Sequence, residues 1–137
     1  MSVHKIINYE PKDYFAHNQN WQTVQADNGV LFFANGDGVL EYDGTNWSLH
    51  QTQTKTNVLS VGINKKGTIF YGGVGEVGFL QASEKGEYKA VQIEVDGNKE
   101  LFDAEFFWDI HILNEKIIFR SDNSMVIYKN GESTFLD

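Results

Sequence analysis

The stretch GVLFFANGDGVLEYDG, residues 29–44, holds two short apolar runs separated by a glycine-rich turn sequence. Its first run, GVLFFA at 29–34, aligns without a gap with GTIFYG at 67–72, and KIIF at 116–119 is a third version. Short aromatic and branched runs broken by Asn-Gly and Asp-Gly are typical of β-hairpins, because those dipeptides supply the positive φ of tight turns. The chain is therefore predicted to repeat one hairpin-based unit.

The spacing of equivalent residues supports an internal repeat. Phe33 and Phe119 lie 86 residues apart, and Tyr42 and Tyr128 keep the same offset. The unit spacing is 38 residues from the first copy to the second and 48 from the second to the third. The longer step contains a polar stretch, residues 94–105, which we interpret as an extended loop. A period near 40 residues with four strands per unit is the signature of propeller blades.

Each unit is predicted to contribute four strands, and helix periodicity is weak throughout. We therefore predict an all-β chain that forms a partial β-propeller of about three four-stranded antiparallel blades in one domain, residues 1–137. A single antiparallel β-sandwich or barrel is the alternative architecture. Residues 5–9 are a candidate ring-closing strand. The predicted blades are 20–51, with strands at 21–26, 30–34, 38–42 and 46–50; 57–93, with strands at 58–63, 68–72, 77–82 and 88–93; and 104–137, with strands at 106–113, 116–120, 124–128 and 132–136.

Composition excludes several classes of function. The 137 residues carry a formal net charge of −8, and 41% are apolar and 14% aromatic. A nucleic-acid binder normally needs a basic patch, and the longest basic run here is Lys65-Lys66. The charge also disfavours contact with an anionic membrane surface, and no apolar run is long enough for a membrane helix. The lack of cysteine excludes disulfides and thiolate chemistry.

No catalytic or metal-binding set is predicted. Residues 73–78, GVGEVG, spell a dinucleotide-binding pattern, but a strand follows where that site requires a helix, so a turn is favoured. Asp109 and His111 would share one face of a strand, which is more often a polar pair than a catalytic one. The four histidines lack metal-site spacing, and no serine lies in a nucleophile elbow. We expect no cofactor and no enzyme activity.

Four residues are candidates for ligand contact. Asn35, Asp37 and Glu76 fall in equivalent loops between the second and third strands of their units, where loops converge on one mouth of a propeller. Turn formation is the simpler role for these three. Trp108 is predicted to begin a first strand, as Trp21 does, where an aromatic ring either stacks on a sugar or packs between blades.

At these motifs the sequence resembles the N-terminal sensor region of the two-component regulator propeller proteins of Bacteroidetes. The resemblance covers roughly residues 5–137 and is most specific in the first unit. Thr23 departs from the family pattern, which has Ile or Val there. The motifs that carry the resemblance are QNW (19–21), GVLFFAN (29–35), GVLEYDG (38–44) and Trp47; YGG (71–73) and EVGFL (76–80); and, more loosely, FWDI (107–110) and IIFRS (117–121).

The resemblance implies a larger periplasmic sensor with a seven-bladed propeller, an immunoglobulin-like domain, a membrane span and a kinase or DNA-binding output. None of those later parts has a counterpart in this chain, which is expected to be a fragment without a visible signal peptide. Its implied role is sensory binding, with a saccharide as the ligand class. A propeller-scaffold lyase or hydrolase and a ligand-free assembly module remain alternatives.

Three blades cannot close a ring, since propellers need about four to eight. The outer sheet faces are therefore expected to find partners. Those partners would be further blades of a parent protein or other copies of the chain, which makes a homo-oligomer the expected state.

Overall fold

The computed structural model describes residues 20–137, with side chains described from Gln22 onward. The candidate ring-closing strand at 5–9 lies outside these residues. The described part holds twelve strands and one short helix. The strands are β1 Asn20–Gln25, β2 Leu31–Asn35, β3 Gly38–Tyr42, β4 Trp47–His50, β5 Val58–Ile63, β6 Ile69–Gly73, β7 Val77–Ala82, β8 Tyr88–Gln92, β9 Asp109–Leu113, β10 Lys116–Arg120, β11 Met125–Lys129 and β12 Glu132–Leu136; the helix, α1, is Lys99–Asp103.

The strands form three separate four-stranded antiparallel sheets. The strand orders are β1-β2-β3-β4, β5-β6-β7-β8 and β9-β10-β11-β12, so every strand pairs with its neighbour in sequence. Within residues 20–137 no sheet mixes strands from two repeats, which rules out the single sandwich or barrel. The predicted all-β partial propeller with three blades is confirmed.

The blades stack like wedges around a common inner edge. The first strands of successive blades contact each other, β1 with β5 and β5 with β9, more extensively than the last strands β4 and β8 do. Sheets that meet closely at their first strands and spread at their last strands have the radial arrangement of a propeller. Each blade has a leading face, toward the next blade in sequence, and a trailing face, toward the preceding one.

Two apolar cores hold the three blades together. Phe32, Ala34 and Val39 of the first blade pack on Val61 and Tyr71 of the second, and all five are buried. Between the second and third blades the core contains Phe70, Val77, Phe107, Ile117, Phe119 and Val126. Burial of apolar area at about 25 cal/mol per Å² makes these inter-blade contacts the main stabilising interaction, because an isolated sheet would expose both its faces.

The segment between blades 2 and 3, residues 94–105, contains a helix where a loop was predicted. Asn98 caps α1 by accepting a 3.2 Å hydrogen bond from the Leu101 N–H, and Phe102 is buried against Phe107 and Phe135. Before the helix, Asp96 forms a parallel bridge with Thr134 at the outer edge of β12. This segment therefore fastens blade 2 to blade 3.

The first strand of blade 3 is shorter than predicted. It begins at Asp109 and not at 106, so Trp108 precedes the strand, whereas Trp21 lies within β1. The reason is competition from blade 2: Phe106 bridges to Val74, and the Phe107 N–H donates a 3.0 Å hydrogen bond to the Gly73 carbonyl. Residues 106–108 are thus held by the β6–β7 turn and do not pair with β10.

Candidate functional site at the upper end of the blades

One end of the blade stack gathers most of the candidate residues. The register pairs Asn20 with Asn35, Val58 with Gly73, and Asp109 with Arg120. In each blade the start of the first strand therefore lies beside the end of the second strand, at the same end of the sheet. We call this the upper end. It carries the β2–β3, β6–β7 and β10–β11 turns and both links between blades. In propellers such ends converge on the central axis, where ligands commonly bind.

Phe106 and Trp108 form an exposed aromatic ledge at the upper end. Their ring centroids lie 5.8 Å apart with planes 28° from parallel, and the side chains are 46% and 41% exposed. Phe107, between them, points the other way and is buried. Exposing large aromatic side chains to water is unfavourable, so a stacked pair of exposed rings marks a candidate contact surface.

The ledge is fixed by hydrogen bonds from both preceding blades. The Gln22 side-chain amide donates to the Trp108 carbonyl at 2.8 Å, and its oxygen accepts a 3.4 Å bond from the Val61 N–H. The buried Ser60 hydroxyl donates to the Phe107 carbonyl at 2.8 Å. Because β1, β5 and the ledge are joined directly, the aromatic rings are presented on a preorganised backbone.

Glu76 lies beneath this end and is fully buried. Its Oε1 accepts hydrogen bonds from the Thr54 backbone N–H at 3.1 Å and the Thr54 hydroxyl at 2.5 Å. Its Oε2 accepts a 2.5 Å bond from the Tyr71 hydroxyl. Both carboxylate oxygens are therefore used to tie the link between blades 1 and 2 to the β6–β7 turn, and a ligand in solvent cannot contact Glu76.

Tyr71 shows the electrostatic effect of this arrangement. Burial, reinforced by the hydrogen bond to Glu76 and by its charge, raises the pKa of the Tyr71 hydroxyl far above its usual range. The ring lies directly over Gly78, where an added Cβ would come within 2.5 Å of the Tyr71 oxygen. Tyr71 therefore stays protonated and serves as a donor inside the blade.

The two predicted ligand-contact residues of blade 1, Asn35 and Asp37, differ in solvent exposure. Asn35 is fully buried, and its side-chain oxygen accepts a 2.9 Å bond from the Asp37 N–H. Asp37 is exposed in the β2–β3 turn at the upper end. Of the four predicted residues, Asp37 and Trp108 are exposed at this end, whereas Asn35 and Glu76 are buried in the turns beneath it.

Sequence reasoning did not single out Phe106 or Gln22. Period-2 alternation through Phe106-Phe107-Trp108 would have placed the first and third rings on one side. The link from Gln22 to Trp108 spans 86 residues, and no local pattern signals it.

The remaining motifs take structural or surface positions. Residues 73–78 run from the end of β6 through the turn at 74–76 into β7, with Gly75 at φ 65°, and they open no helix. His111 Nε2 lies 3.1 Å from Asp109 Oδ2 on the leading face of blade 3, and both side chains are partly exposed. Among residues 20–137 no cluster of three or more acidic or histidine side chains could hold a metal ion. No helix in the same part of the chain is long and apolar enough to cross a membrane.

Comparison with solved structures finds proteins that share the fold of this chain. The chain is similar to the extracellular domain of BT4673 from B. thetaiotaomicron, described as a one component system, with 17% identity and a TM-score of 0.61. A second structure, of an extracellular domain described as the hybrid two component system BT4673, gives 15% identity and a TM-score of 0.56. Each alignment covers 86% of this chain, which spans only 16% and 15% of those chains. No known protein family and no curated protein matches. The resemblance found in the sequence is confirmed at the level of the fold.

Proposed function

We propose that this chain forms three blades of the sensory propeller of a larger extracytoplasmic two-component regulator, and that its aromatic ledge contacts a saccharide. The stacking of its blades and its fold similarity to the extracellular domain of BT4673 support the sensory role. That similarity and the family resemblance also support a periplasmic location.

The exposed ledge of Phe106 and Trp108 carries the ligand assignment. Sugar rings present apolar C–H faces that pack on aromatic rings, and the exposed parts of this stacked pair offer such a surface. Asp37, exposed at the same end, would accept hydrogen bonds from sugar hydroxyls. A few polar groups around an apolar platform is the usual composition of a specific small-molecule site.

A binding role is favoured over a hydrolase or lyase role by how the carboxylates are used. A glycosidase needs two carboxyl groups facing one sugar. Glu76, the acid sequence reasoning placed at the ligand end, has both oxygens occupied by Thr54 and Tyr71. The pair Asp109 and His111 lies on a sheet face where another blade would pack.

The outermost sheet faces support further blades or copies of the chain as partners. Phe32 in blade 1, Phe70 in blade 2 and Ile118 in blade 3 occupy the same position on the leading faces of their sheets. Phe32 and Phe70 are covered by the next blade, whereas Ile118 is half-buried on the same sheet face as the exposed Leu113 and Leu136. In a parent protein this face would receive the fourth blade; in the isolated chain it would receive a second copy.

A glycan array read at micromolar protein tests the ligand assignment, followed by titration of any saccharide that binds. Trp108→Ala and Phe106→Ala are expected to weaken binding about tenfold or more, because each removes half of the platform. Leu136→Ala, an equally exposed apolar side chain on β12, is the matched control and should leave affinity unchanged. Equal losses in all three variants, or no saccharide bound at all, would contradict the proposal.

A further inference from the structure

The lower end of the blades holds a second recess that the ledge does not reach. It is a cleft of about 460 Å³ between blades 2 and 3, within the range of roughly 300–1,000 Å³ typical of small-molecule sites. Its walls are three hairpin turns, β5–β6 from blade 2 and β9–β10 and β11–β12 from blade 3. The lining residues are Asn64, Lys65, Lys66, Phe70, Asn114, Glu115, Ile117, Tyr128 and Asn130.

The floor of the cleft is apolar and partly aromatic. Phe70 and Ile117 belong to the core between the blades, and the Phe70 and Tyr128 rings lie 6.3 Å apart at 60°. Tyr128 is half-buried, and no described residue hydrogen-bonds its hydroxyl. The floor therefore offers an apolar ring face together with one hydroxyl.

The rim carries more positive than negative charge, in a chain whose net charge is −8. Asn64 holds the β5–β6 turn by accepting hydrogen bonds from the Lys66 and Thr68 N–H groups at 3.1 and 2.9 Å, which presents the exposed Lys65 and Lys66 at the rim. Neither lysine forms an ion pair within the described part of the chain. Glu115 is the single acidic residue of the lining.

Two asparagines complete the rim. Asn114 and Asn130 have φ of 55° and 52° at the tips of the β9–β10 and β11–β12 turns. Unlike Asn64, their side-chain amides make no hydrogen bond to any described residue. Each amide can donate and accept, which suits hydroxyl groups of a ligand.

We propose that this cleft binds a small carboxylate ligand with an apolar ring face, of which a hexuronate is the simplest sugar example. The carboxylate meets Lys65 and Lys66, the ring lies on Tyr128 above the buried Phe70, and hydroxyls meet the amides of Asn114 and Asn130. Charge-assisted hydrogen bonds are roughly twice as strong as neutral ones, so the lysines select the anion. The site is independent of the ledge, because the two lie at opposite ends of the blades and share no residue.

Titration of the full ¹⁵N-labelled chain with glucuronate, followed by NMR, tests the site. Saturable shifts are expected at the amides of the three turns and at Tyr128. Glucose, which lacks the carboxylate, is expected to bind about tenfold more weakly or worse, and inorganic phosphate, which lacks the ring, should not shift Tyr128. Affinity should fall as salt rises, because screening weakens the lysine contacts.

Matched variants assign the contacts. The double variant Lys65→Gln, Lys66→Gln is expected to lose about tenfold or more in affinity. Lys85→Gln, Lys89→Gln removes the same charge from exposed positions outside the cleft and should change nothing. Asn114→Gly and Asn130→Gly keep the positive φ while deleting an amide, and should each cost about threefold to tenfold.

Three results would overturn the proposal. They are the absence of saturable glucuronate shifts in the turns, equal responses to phosphate and glucuronate, and equal losses in the cleft and control lysine variants. Every substituted side chain is exposed, so each variant is expected to fold, and an unchanged urea midpoint confirms it.

Discussion

The Tyr71 hydroxyl donates a 2.5 Å hydrogen bond to Glu76 Oε2, and both side chains are fully buried within blade 2. Thr54 donates two hydrogen bonds to the other oxygen of the same carboxylate, from the link that leaves blade 1. One buried acid thus connects a strand, a turn and an inter-blade link. This connection holds the upper end in place beneath the ledge.

Glu76→Gln is expected to destabilise the fold by about 1–3 kcal/mol. The amide nitrogen cannot accept a hydrogen bond, so at least one of the donors facing Glu76 is left buried without an acceptor. Urea unfolding followed by tryptophan fluorescence measures the change. Glu84→Gln removes the same charge from an exposed turn and should change stability by less than about 0.5 kcal/mol. Equal effects of the two substitutions would show that the buried connection contributes nothing.

The raised pKa of Tyr71 predicts a loss of stability at alkaline pH. The unfolded chain releases this proton near pH 10, whereas the folded chain retains it. The contribution of the Tyr71 hydroxyl to the free energy of unfolding is therefore fully present below about pH 10 and declines as the pH rises above that value. Tyr71→Phe should unfold more easily at pH 7 yet show a flatter decline of stability between about pH 9.5 and 11.5.

The control for this effect is Tyr42→Phe, which removes a hydroxyl that bonds the Gly44 carbonyl in an exposed turn. It leaves Tyr71 intact and should keep the wild-type decline above pH 10. An identical alkaline slope in the wild type and in Tyr71→Phe would contradict the electrostatic assignment.

Phe102→Ala is expected to cost about 3–5 kcal/mol, the usual effect of removing a buried phenyl ring. Its ring lies 5.4 Å from that of Phe107 and 5.7 Å from that of Phe135, so the substitution opens a void between blades 2 and 3. Leu101→Ala changes the adjacent residue of α1, which is 44% exposed, and should cost little. Hydrogen exchange should show faster exchange at 94–108 in the first variant alone.

Local sequence patterns were sufficient to predict the strands but not the conformation of the segment that links blades 2 and 3. Around Phe33, Tyr71 and Phe119, short apolar runs are separated by clear turn sequences. The strands of the three four-stranded sheets could therefore be predicted from sequence. Residues 94–108 were predicted only as a loop and the start of a strand. Their conformation depends on Phe102 filling a space that exists only once blades 2 and 3 have met.

The candidate site shows the same division. Glu76 and Asn35 were chosen because polar residues in loops usually face solvent, yet both are fully buried, and one partner of Glu76, Thr54, lies 22 residues away in sequence. Trp108 was predicted to begin the first strand of the third unit, and this was wrong, since it directly precedes β9. Its companion Phe106 follows from period-2 alternation once residues 106–108 are known to be extended, and the bridge between Phe106 and Val74 fixes their position against blade 2.

The open leading face of blade 3 is expected to drive self-association of the isolated chain. Ile118 and Ile127 face each other across β10 and β11 on that face, beside Leu136. Ile118→Lys with Ile127→Lys should abolish association by placing charge where an apolar partner would pack. Thr45→Lys with Gln81→Lys adds the same charge at other exposed positions and should not, and urea midpoints verify folding of both variants.

Sedimentation velocity of the wild-type chain across a hundredfold range of concentration tests most directly whether these three sheets are stacked blades with uncovered outer faces. The account predicts a weight-average mass that rises with concentration toward whole multiples of the monomer and falls back to the monomer in the Ile118, Ile127 variant. A wild-type chain that stays folded and strictly monomeric over the whole range would contradict it.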